Sequence, residues 1–187
     1  MSHYVPSNVY HIDDLYESVD VIPSDAEKII VKENSFGNTE TLSINNYPNL
    51  TSLVFEDNTF KNVNSVEING DNIEEVVIGD NCFSKSESGV EGSRRLEDTG
   101  SIDLTLPHTE RIRIGSKSAL NVNTLVFNEL LDSVEFELDS ESMMNINLIR
   151  YSYGISNSTI YSIKMVIESN KGQNEKIEVE VINTPTP

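Results

Sequence analysis

Residues 73–83 read IEEVVIGDNCF, and the chain repeats this pattern as AEKIIVKENSF at residues 26–36 and as LTSLVFEDNTF at residues 50–60. Each copy has an apolar triplet, then an asparagine and, two residues later, a phenylalanine. The phenylalanines are Phe36, Phe60 and Phe83. They are separated by 24 and 23 residues. A period of this length is typical of stacked repeats rather than of one globular core.

Each repeat contains two apolar segments. Residues 19–36 align with residues 66–83 without a gap, and Pro23 or Gly70 marks a turn between the segments. First strands are predicted at 19–21, 42–44, 66–68, 102–104, 125–127 and 146–148. Second strands are predicted at 29–31, 53–55, 76–78, 112–114, 134–136 and 163–165. We therefore expect a mainly β solenoid of about six coils of roughly 23 residues, with two short strands per coil.

The repeats divide the chain into three parts. We interpret residues 1–18 as an N-terminal cap, because the end of a stacked array exposes apolar edges that need a cover. The repeat solenoid spans residues 19–170, with a polar surface insert at 84–100. Residues 171–187 are predicted to form a closing edge strand and a C-terminal tail.

The composition argues against several partners. Thirteen Lys and Arg against 31 Asp and Glu give a formal net charge of −18, which disfavours nucleic acid and anionic membrane surfaces. No run reaches the roughly 18 apolar residues of a membrane span, and residues 1–14 lack the pattern of a signal peptide. The single cysteine, Cys82, cannot form an internal disulfide, so a reducing, cytoplasmic location is favoured over secretion.

Two segments carry a resemblance to a known family. Residues 78–83, IGDNCF, and the weaker residues 114–119, IGSKSA, resemble the I-G-x-x-x-F/A segment of BspA-like leucine-rich repeats. The resemblance covers roughly residues 19–144. It implies a curved, right-handed β-solenoid of leucine-rich-repeat type that serves adhesion or protein recognition and has no catalytic residues. Val and Ile replace most of the leucines of such repeats, which leaves a straighter array as the alternative.

The repeated positions predict columns of side chains inside the array. Strands of neighbouring units lie about 4.8 Å apart, so the three phenylalanines should stack ring on ring. The asparagines Asn34, Asn58 and Asn81 precede them at a bend. We interpret their amides as buried partners of backbone groups, in a row that ends where Lys117 takes the position.

The second strands predict a binding surface. Their middle residues should face outward. These residues are Ile30, Val54, Val77, Arg113, Glu135 and Lys164. Exposed apolar residues on adjacent strands are typical of a contact with another protein or with a second copy of the chain. The alternative is that the N-terminal residues or the insert cover this row.

The first strands predict an acidic row on the opposite sheet. Asp20, Glu67 and Asp103 are the acidic residues among their outward positions. Two carboxylates about 5 Å apart match the spacing in a retaining glycosidase, and stacked acids can also bind calcium. A flat solvated sheet offers no pocket, however. We therefore expect a non-enzymatic protein-binding or adhesion module without metal or cofactor, and a carbohydrate-active or glycan-binding protein as the alternative.

Overall fold

The computed structural model describes residues 8–84, 100–172 and 176–182. They form two parallel β-sheets of six strands each. The first sheet contains, in spatial order, β1 (Val9–Ile12), β2 (Lys28–Val31), β4 (Ser52–Phe55), β6 (Glu75–Ile78), β8 (Arg111–Ile114) and β10 (Glu135–Leu138). The second contains β3 (Thr41–Ile44), β5 (Ser65–Asn69), β7 (Ser101–Leu106), β9 (Thr124–Leu130), β11 (Leu148–Ser152) and β12 (Glu178–Ile182). The mainly β class predicted from the sequence is confirmed.

From β2 to β11 the chain alternates strictly between the two sheets. Each return adds a strand parallel to the previous one, and the register keeps equivalent residues side by side. In the first sheet, for example, Ile29, Leu53, Val76 and Ile112 are successive partners. All four are buried, because one side of each strand faces the apolar core.

The first unit departs from the prediction. Residues Val19–Val21 form a 3-10 turn instead of a strand. The Ser18 hydroxyl accepts the N–H of Asp20 at 3.2 Å, a local bond that competes with strand pairing. Pro23 then holds the preceding Ile22 in the extended region, so the turn cannot continue as a helix.

The last predicted second strand is also wrong. Residues 163–165 lie inside helix α1 (Asn157–Lys171). The Ser156 hydroxyl accepts the Thr159 N–H at its start, and Gly172 follows its last residue. Its buried residues include Ile160, Ile163 and Ile167, which recur at helical spacing and pack against the core. Lys164 therefore does not belong to an outward row of the first sheet.

Two other strands are shifted along the sequence. The strand predicted at 146–148 begins only at Leu148, so Arg150 rather than Asn147 follows Val126 in the outward row. The strand predicted at 134–136 is β10, and Glu137 rather than Glu135 is the partner of Arg113. The shift of two residues in β10 keeps the predicted face outward, because side chains alternate with a period of two. The shift of three residues in β11 exchanges the faces, so that Ile149 and Tyr151 rather than Leu148 are buried.

The three repeated phenylalanines stack in sequence, as predicted. The rings of Phe36 and Phe60 lie 5.0 Å apart and nearly parallel, at 11°. The rings of Phe60 and Phe83 follow at 6.3 Å, and Phe55 packs edge-on against both Phe60 and Phe83. All of these rings are buried, so the stack forms one wall of the core.

The bend that carries each phenylalanine is a turn with two left-handed residues. The asparagine position and the phenylalanine position both have φ between 50° and 63° in five successive units. The pairs are Asn34 and Phe36, Asn58 and Phe60, Asn81 and Phe83, Lys117 and Ala119, and Glu141 and Met143. Asparagine adopts this conformation more readily than most residues, which explains its recurrence.

The interpretation of the asparagines as buried amides is wrong. Asn34 is exposed, and the repeated bond at this position comes from the backbone. The N–H of Asn34 donates to Asp57 O at 3.0 Å, and that of Lys117 donates to Ser140 O at 3.2 Å. The row therefore continues through Lys117, because any residue that accepts a positive φ supplies the same N–H.

Each sheet has an additional edge strand, at the N-terminal end of the array in the first sheet and at the C-terminal end in the second. β1, from the predicted cap, extends the first sheet beside β2, with His11 opposite Ile30. β12 is the edge strand of the second sheet, and its Glu178 and Glu180 are exposed. Of the predicted insert, residues 85–99 lie outside the described residues, as do residues 1–7, 173–175 and 183–187.

Candidate functional site

The outer face of the first sheet carries the predicted binding residues side by side. Ile30, Val54 and Val77 are direct register partners on β2, β4 and β6, and we call them the apolar row. Arg113 of β8 is the next partner after Val77, and Glu137 of β10 follows it. The three apolar side chains are half-buried, and Arg113 is exposed. The structure thus brings all four predicted residues together on one face.

Ion pairs flank the apolar row along the strands. Two residues after Ile30 and Val54, Lys32 Nζ lies 2.9 Å from Glu56 Oε1. The hydrogen bond from Lys32 holds the pKa of the Glu56 carboxyl below its usual value. Two residues before Arg113, Arg111 contacts Glu137 at 3.1 Å and Glu75 at 3.7 Å.

These ion pairs form a polar border along the apolar row. They remain half-exposed, so each contributes little to folding, on the order of 0–1 kcal/mol. A central apolar strip bordered by charges is the usual arrangement of a contact surface.

The described N-terminal residues do not cover the apolar row. β1 is a strand of the first sheet itself, and Asp14 after it accepts the backbone N–H of Phe36. Leu15 is 90% exposed and Tyr16 is 50% exposed, so neither side chain is buried against the row. Whether residues 85–99 lie over the row falls outside the described part of the chain.

The acidic row on the second sheet is only partly assembled. Glu67 and Asp103 are direct register partners on β5 and β7. Asp20 is absent from the row because it lies in the 3-10 turn. Val126 and Arg150 continue the row, so its acidic character ends after two strands.

Glu67 of the acidic pair is exposed, and Asp103 is half-buried. One oxygen of Asp103 is buried without a hydrogen-bond partner in the described chain. Within residues 8–84, 100–172 and 176–182, no three His, Cys, Asp or Glu side chains lie close enough together to hold a metal ion. The groove beside Glu27, Glu74 and His108 and the groove between β10 and α1 both lie away from Glu67 and Asp103.

Sequence reasoning missed a groove of about 730 Å³ along one edge of the array. Its lining includes His108. It also includes the residues immediately before β2, β4, β6 and β8, which are Glu27, Thr51, Glu74 and Glu110. His108 is oriented by a contact of 2.6 Å between its Nδ1 and the carbonyl oxygen of Asp71. The recurrence of Glu two residues before Ile29, Val76 and Ile112 is the signal that could have located this groove, although Thr51 takes this position before Leu53.

Cys82 is a packing residue in the described structure. It is fully buried, and its Sγ lies 3.2 Å from both Thr59 Oγ1 and the carbonyl oxygen of Glu56. Burial raises the pKa of the Cys82 thiol, which keeps it protonated and unreactive at neutral pH. The residue belongs to a buried column with Ser35, Thr59 and Ser118, whose small side chains fit between the two left-handed positions.

Comparison with protein-family models, curated proteins and solved structures gives no match. None of the helices in the described part of the chain is long and apolar enough to cross a membrane.

Proposed function

We propose that the chain is a right-handed β-solenoid of leucine-rich-repeat type that works as a non-enzymatic protein-binding or adhesion module. The alternation between two parallel sheets supports the solenoid, because each return to a sheet adds a strand beside the previous one. Crossovers between parallel strands of one sheet are almost always right-handed, which supports the hand. The BspA-like resemblance agrees with this architecture and remains a prediction.

The observation that carries the binding proposal is the apolar row. Three β-branched side chains stand in register on an outward sheet face, only half-buried, with ion pairs two residues away along the strands on either side. Another protein, or a second copy of this chain, would cover the row and leave the ion pairs at the rim. Burial of apolar area gives about 25 cal/mol per Å², so three such side chains contribute a few kcal/mol to binding.

The test is a double substitution on this face. Val54→Asp with Val77→Asp places two charges in the row, and Ser43→Asp on the outward side of β3 is the matched control. We expect the double variant to fold and to lose self-association in sedimentation velocity, or to lose the proteins that cross-link to the wild-type chain. Ser43→Asp should retain these contacts.

The result against the proposal is equally clear. If the double variant keeps every contact of the wild type, the apolar row is not the binding surface. If it unfolds while Ser43→Asp does not, Val54→Asp with Val77→Lys removes the repulsion between the two aspartates across β4 and β6, and unfolding of that variant too would show that the row is internal packing.

A further inference from the structure

The exposed large apolar side chains of the described chain are confined to the two ends of the array. Between residues 22 and 152, which include all the inner units, the described residues contain none. The N-terminal end has Val9, Leu15, Tyr16 and Val21, and the C-terminal end has Tyr153, Tyr161, Met165, Val166 and Val181. Exposed apolar residues that are grouped rather than scattered usually mark a contact with another molecule.

At the N-terminal end, these residues lie on the segment between β1 and β2. Leu15 is 90% exposed and Tyr16 is 50% exposed. Val21, which is 51% exposed, belongs to the 3-10 turn that replaces the first predicted strand. The Tyr47 hydroxyl donates to Val19 O at 3.3 Å and so holds this turn near the end of β3, the edge strand of the second sheet. The side chains are therefore available to a partner at the start of the array.

At the C-terminal end, two of the residues lie on the side of α1 that faces away from β10. Thr159 Oγ1 donates to Asp132 O at 3.3 Å and Asn170 Nδ2 donates to Asp139 O at 3.1 Å, so these two residues mark the side toward β10. Each helical residue advances by about 100°, which places Tyr161 about 200° and Met165 about 240° from Thr159. Both are more than half exposed. α1 therefore presents apolar side chains outward from the end of the first sheet.

The two ends also differ in charge. Residues 8–27 contain no Lys or Arg, and their acidic residues are Asp13, Asp14, Glu17, Asp20, Asp25 and Glu27. The C-terminal residues 153–172 and 176–182 contain three lysines and three glutamates, so their charge is balanced. Lys164 Nζ lies 5.6 Å from the centre of the Tyr161 ring, which places a cation among the apolar residues of this end. Two N-terminal ends would repel each other, whereas an N-terminal and a C-terminal end would not.

We propose that copies of this chain associate head to tail, with the C-terminal end of one copy on the N-terminal end of the next. One copy contributes Tyr161 and Met165, and the next contributes Leu15 and Tyr16. Lys164 then faces the carboxylates of the next copy. This arrangement covers the apolar residues of both ends, whereas a two-fold contact covers only one of them. Because the two contacting surfaces differ, each copy keeps a free end, and such contacts form open chains unless they close into a ring.

The first test alters one end at a time. Leu15→Asp with Tyr16→Asp changes the N-terminal end, and Tyr161→Asp with Met165→Asp changes the C-terminal end. All four side chains are at least 50% exposed, so both variants should fold, which circular dichroism checks. In sedimentation velocity, we expect the wild type to form larger species as its concentration rises and each variant to lose them. A wild type that remains a monomer up to about 1 mM would overturn the proposal.

A mixture of the two variants distinguishes head-to-tail contacts from two-fold contacts. The N-terminal variant keeps an unaltered C-terminal end, and the C-terminal variant keeps an unaltered N-terminal end. An equimolar mixture should therefore form a 1:1 complex that neither variant forms alone, and nothing larger. If one variant alone retains the larger species, or if the mixture forms no complex, the two ends do not bind each other and the proposal fails.

The matched control adds the same charge to another side of α1. Ser158→Asp with Ser162→Asp changes two exposed residues that line the groove between α1 and β10. This variant should associate with a Kd within about twofold of the wild-type value. An equal loss of association in this variant and in Tyr161→Asp with Met165→Asp would assign the effect to charge alone and contradict the proposed contact.

The ends are separate from the apolar row, so the proposal holds whether or not that row binds a partner. Val54→Asp with Val77→Asp should remove only the contacts that the row makes, and the head-to-tail species should remain. Contacts made by the row should likewise persist in both end variants. Loss of the larger species in the row variant, with no loss in the end variants, would assign self-association to the row and overturn the head-to-tail proposal.

Discussion

Removal of one ring from the middle of the phenylalanine stack should destabilise the protein more than removal of the ring at its end. Phe60 is 1% exposed and contacts three rings, those of Phe36, Phe55 and Phe83. Phe36, at the end of the stack, is 5% exposed and contacts only Phe60 among the rings of the described residues. The two positions share the same left-handed backbone, so the comparison isolates the packing of the ring.

The magnitudes follow from the contacts. A buried Phe→Ala substitution costs about 3–5 kcal/mol, and each aromatic pair adds about 0.5–1.5 kcal/mol to simple area burial. We expect Phe60→Ala to lower the free energy of unfolding by about 5 kcal/mol and Phe36→Ala by about 3 kcal/mol. Alanine has a Cβ like phenylalanine, so the strain of a positive φ remains in both variants. Ala119 occupies the equivalent position in the fourth unit, which shows that the turn accepts alanine.

Urea unfolding followed by circular dichroism measures both values, since the chain contains no tryptophan for fluorescence. For a protein of this size, Phe60→Ala should also lower Tm by about 10–20 °C. A loss of less than about 2 kcal/mol for Phe60→Ala, against the 3–5 kcal/mol range, would contradict a buried stack. A larger loss for Phe36→Ala than for Phe60→Ala would contradict the order of the rings.

Three further outcomes test other parts of the array. Gly79→Ala should cost about 1–3 kcal/mol, because an added Cβ would lie 2.6 Å from the Asp57 carboxylate and 2.9 Å from the backbone of Glu56 and Asp57 in the turn after β4. Gly154→Ala, which points into open space, should cost less than about 1 kcal/mol in the same urea titration. Cys82 should stay unmodified by a thiol reagent until urea unfolds the chain, and modification at the rate of a free thiol in native buffer would contradict its burial. The pKa of Glu56 is lowered by Lys32, so this pair should stabilise the fold above the carboxyl's unfolded pKa and lose that effect as the pH falls through its folded pKa. Glu56→Gln should remove this acid dependence, which urea midpoints measured across the acidic range would show.

The sequence predicts the repeated part of this fold well, because position in a repeat determines position in space. The offset of 47 residues between 19–36 and 66–83 located the strands of the inner units and the ring stack. The apolar row follows from the same periodicity, since alternate residues of a strand face opposite sides. Register between units needs no long-range information once the period is known.

The ends of the array were harder to predict, because local signals there override the repeat. Ile163 and Lys164 fit a strand position by alignment, but the Ser156 cap, the spacing of the isoleucines and the terminal Gly172 favour a helix. At the other end, one hydroxyl, that of Ser18, changes a strand into a turn.

The candidate sites show the same contrast between the repeated units, which the sequence predicts, and the ends of the array, which it does not. Ile30, Val54, Val77 and Arg113 lie where the repeat predicts, whereas Asp20 leaves the acidic row with its turn. The groove between β10 and α1, lined by Phe136 and Ile163 among others, had no sequence signal, because it exists only where the repeat stops.

Backbone hydrogen bonds join the unit before residue 84 to the unit after residue 100 in the same way as they join other neighbouring units, although the chain between these two units is longer. Ser101 donates its N–H to Asn64 O at 2.9 Å, and Ala119 donates to Cys82 O at 2.8 Å, as in units separated by 23 or 24 residues. Doubling the length of a closed loop adds only about 0.6 kcal/mol of entropic cost. Evolution or a protein engineer can therefore lengthen, shorten or replace the segment between Ser84 and Gly100, while the strands on either side keep the same neighbours.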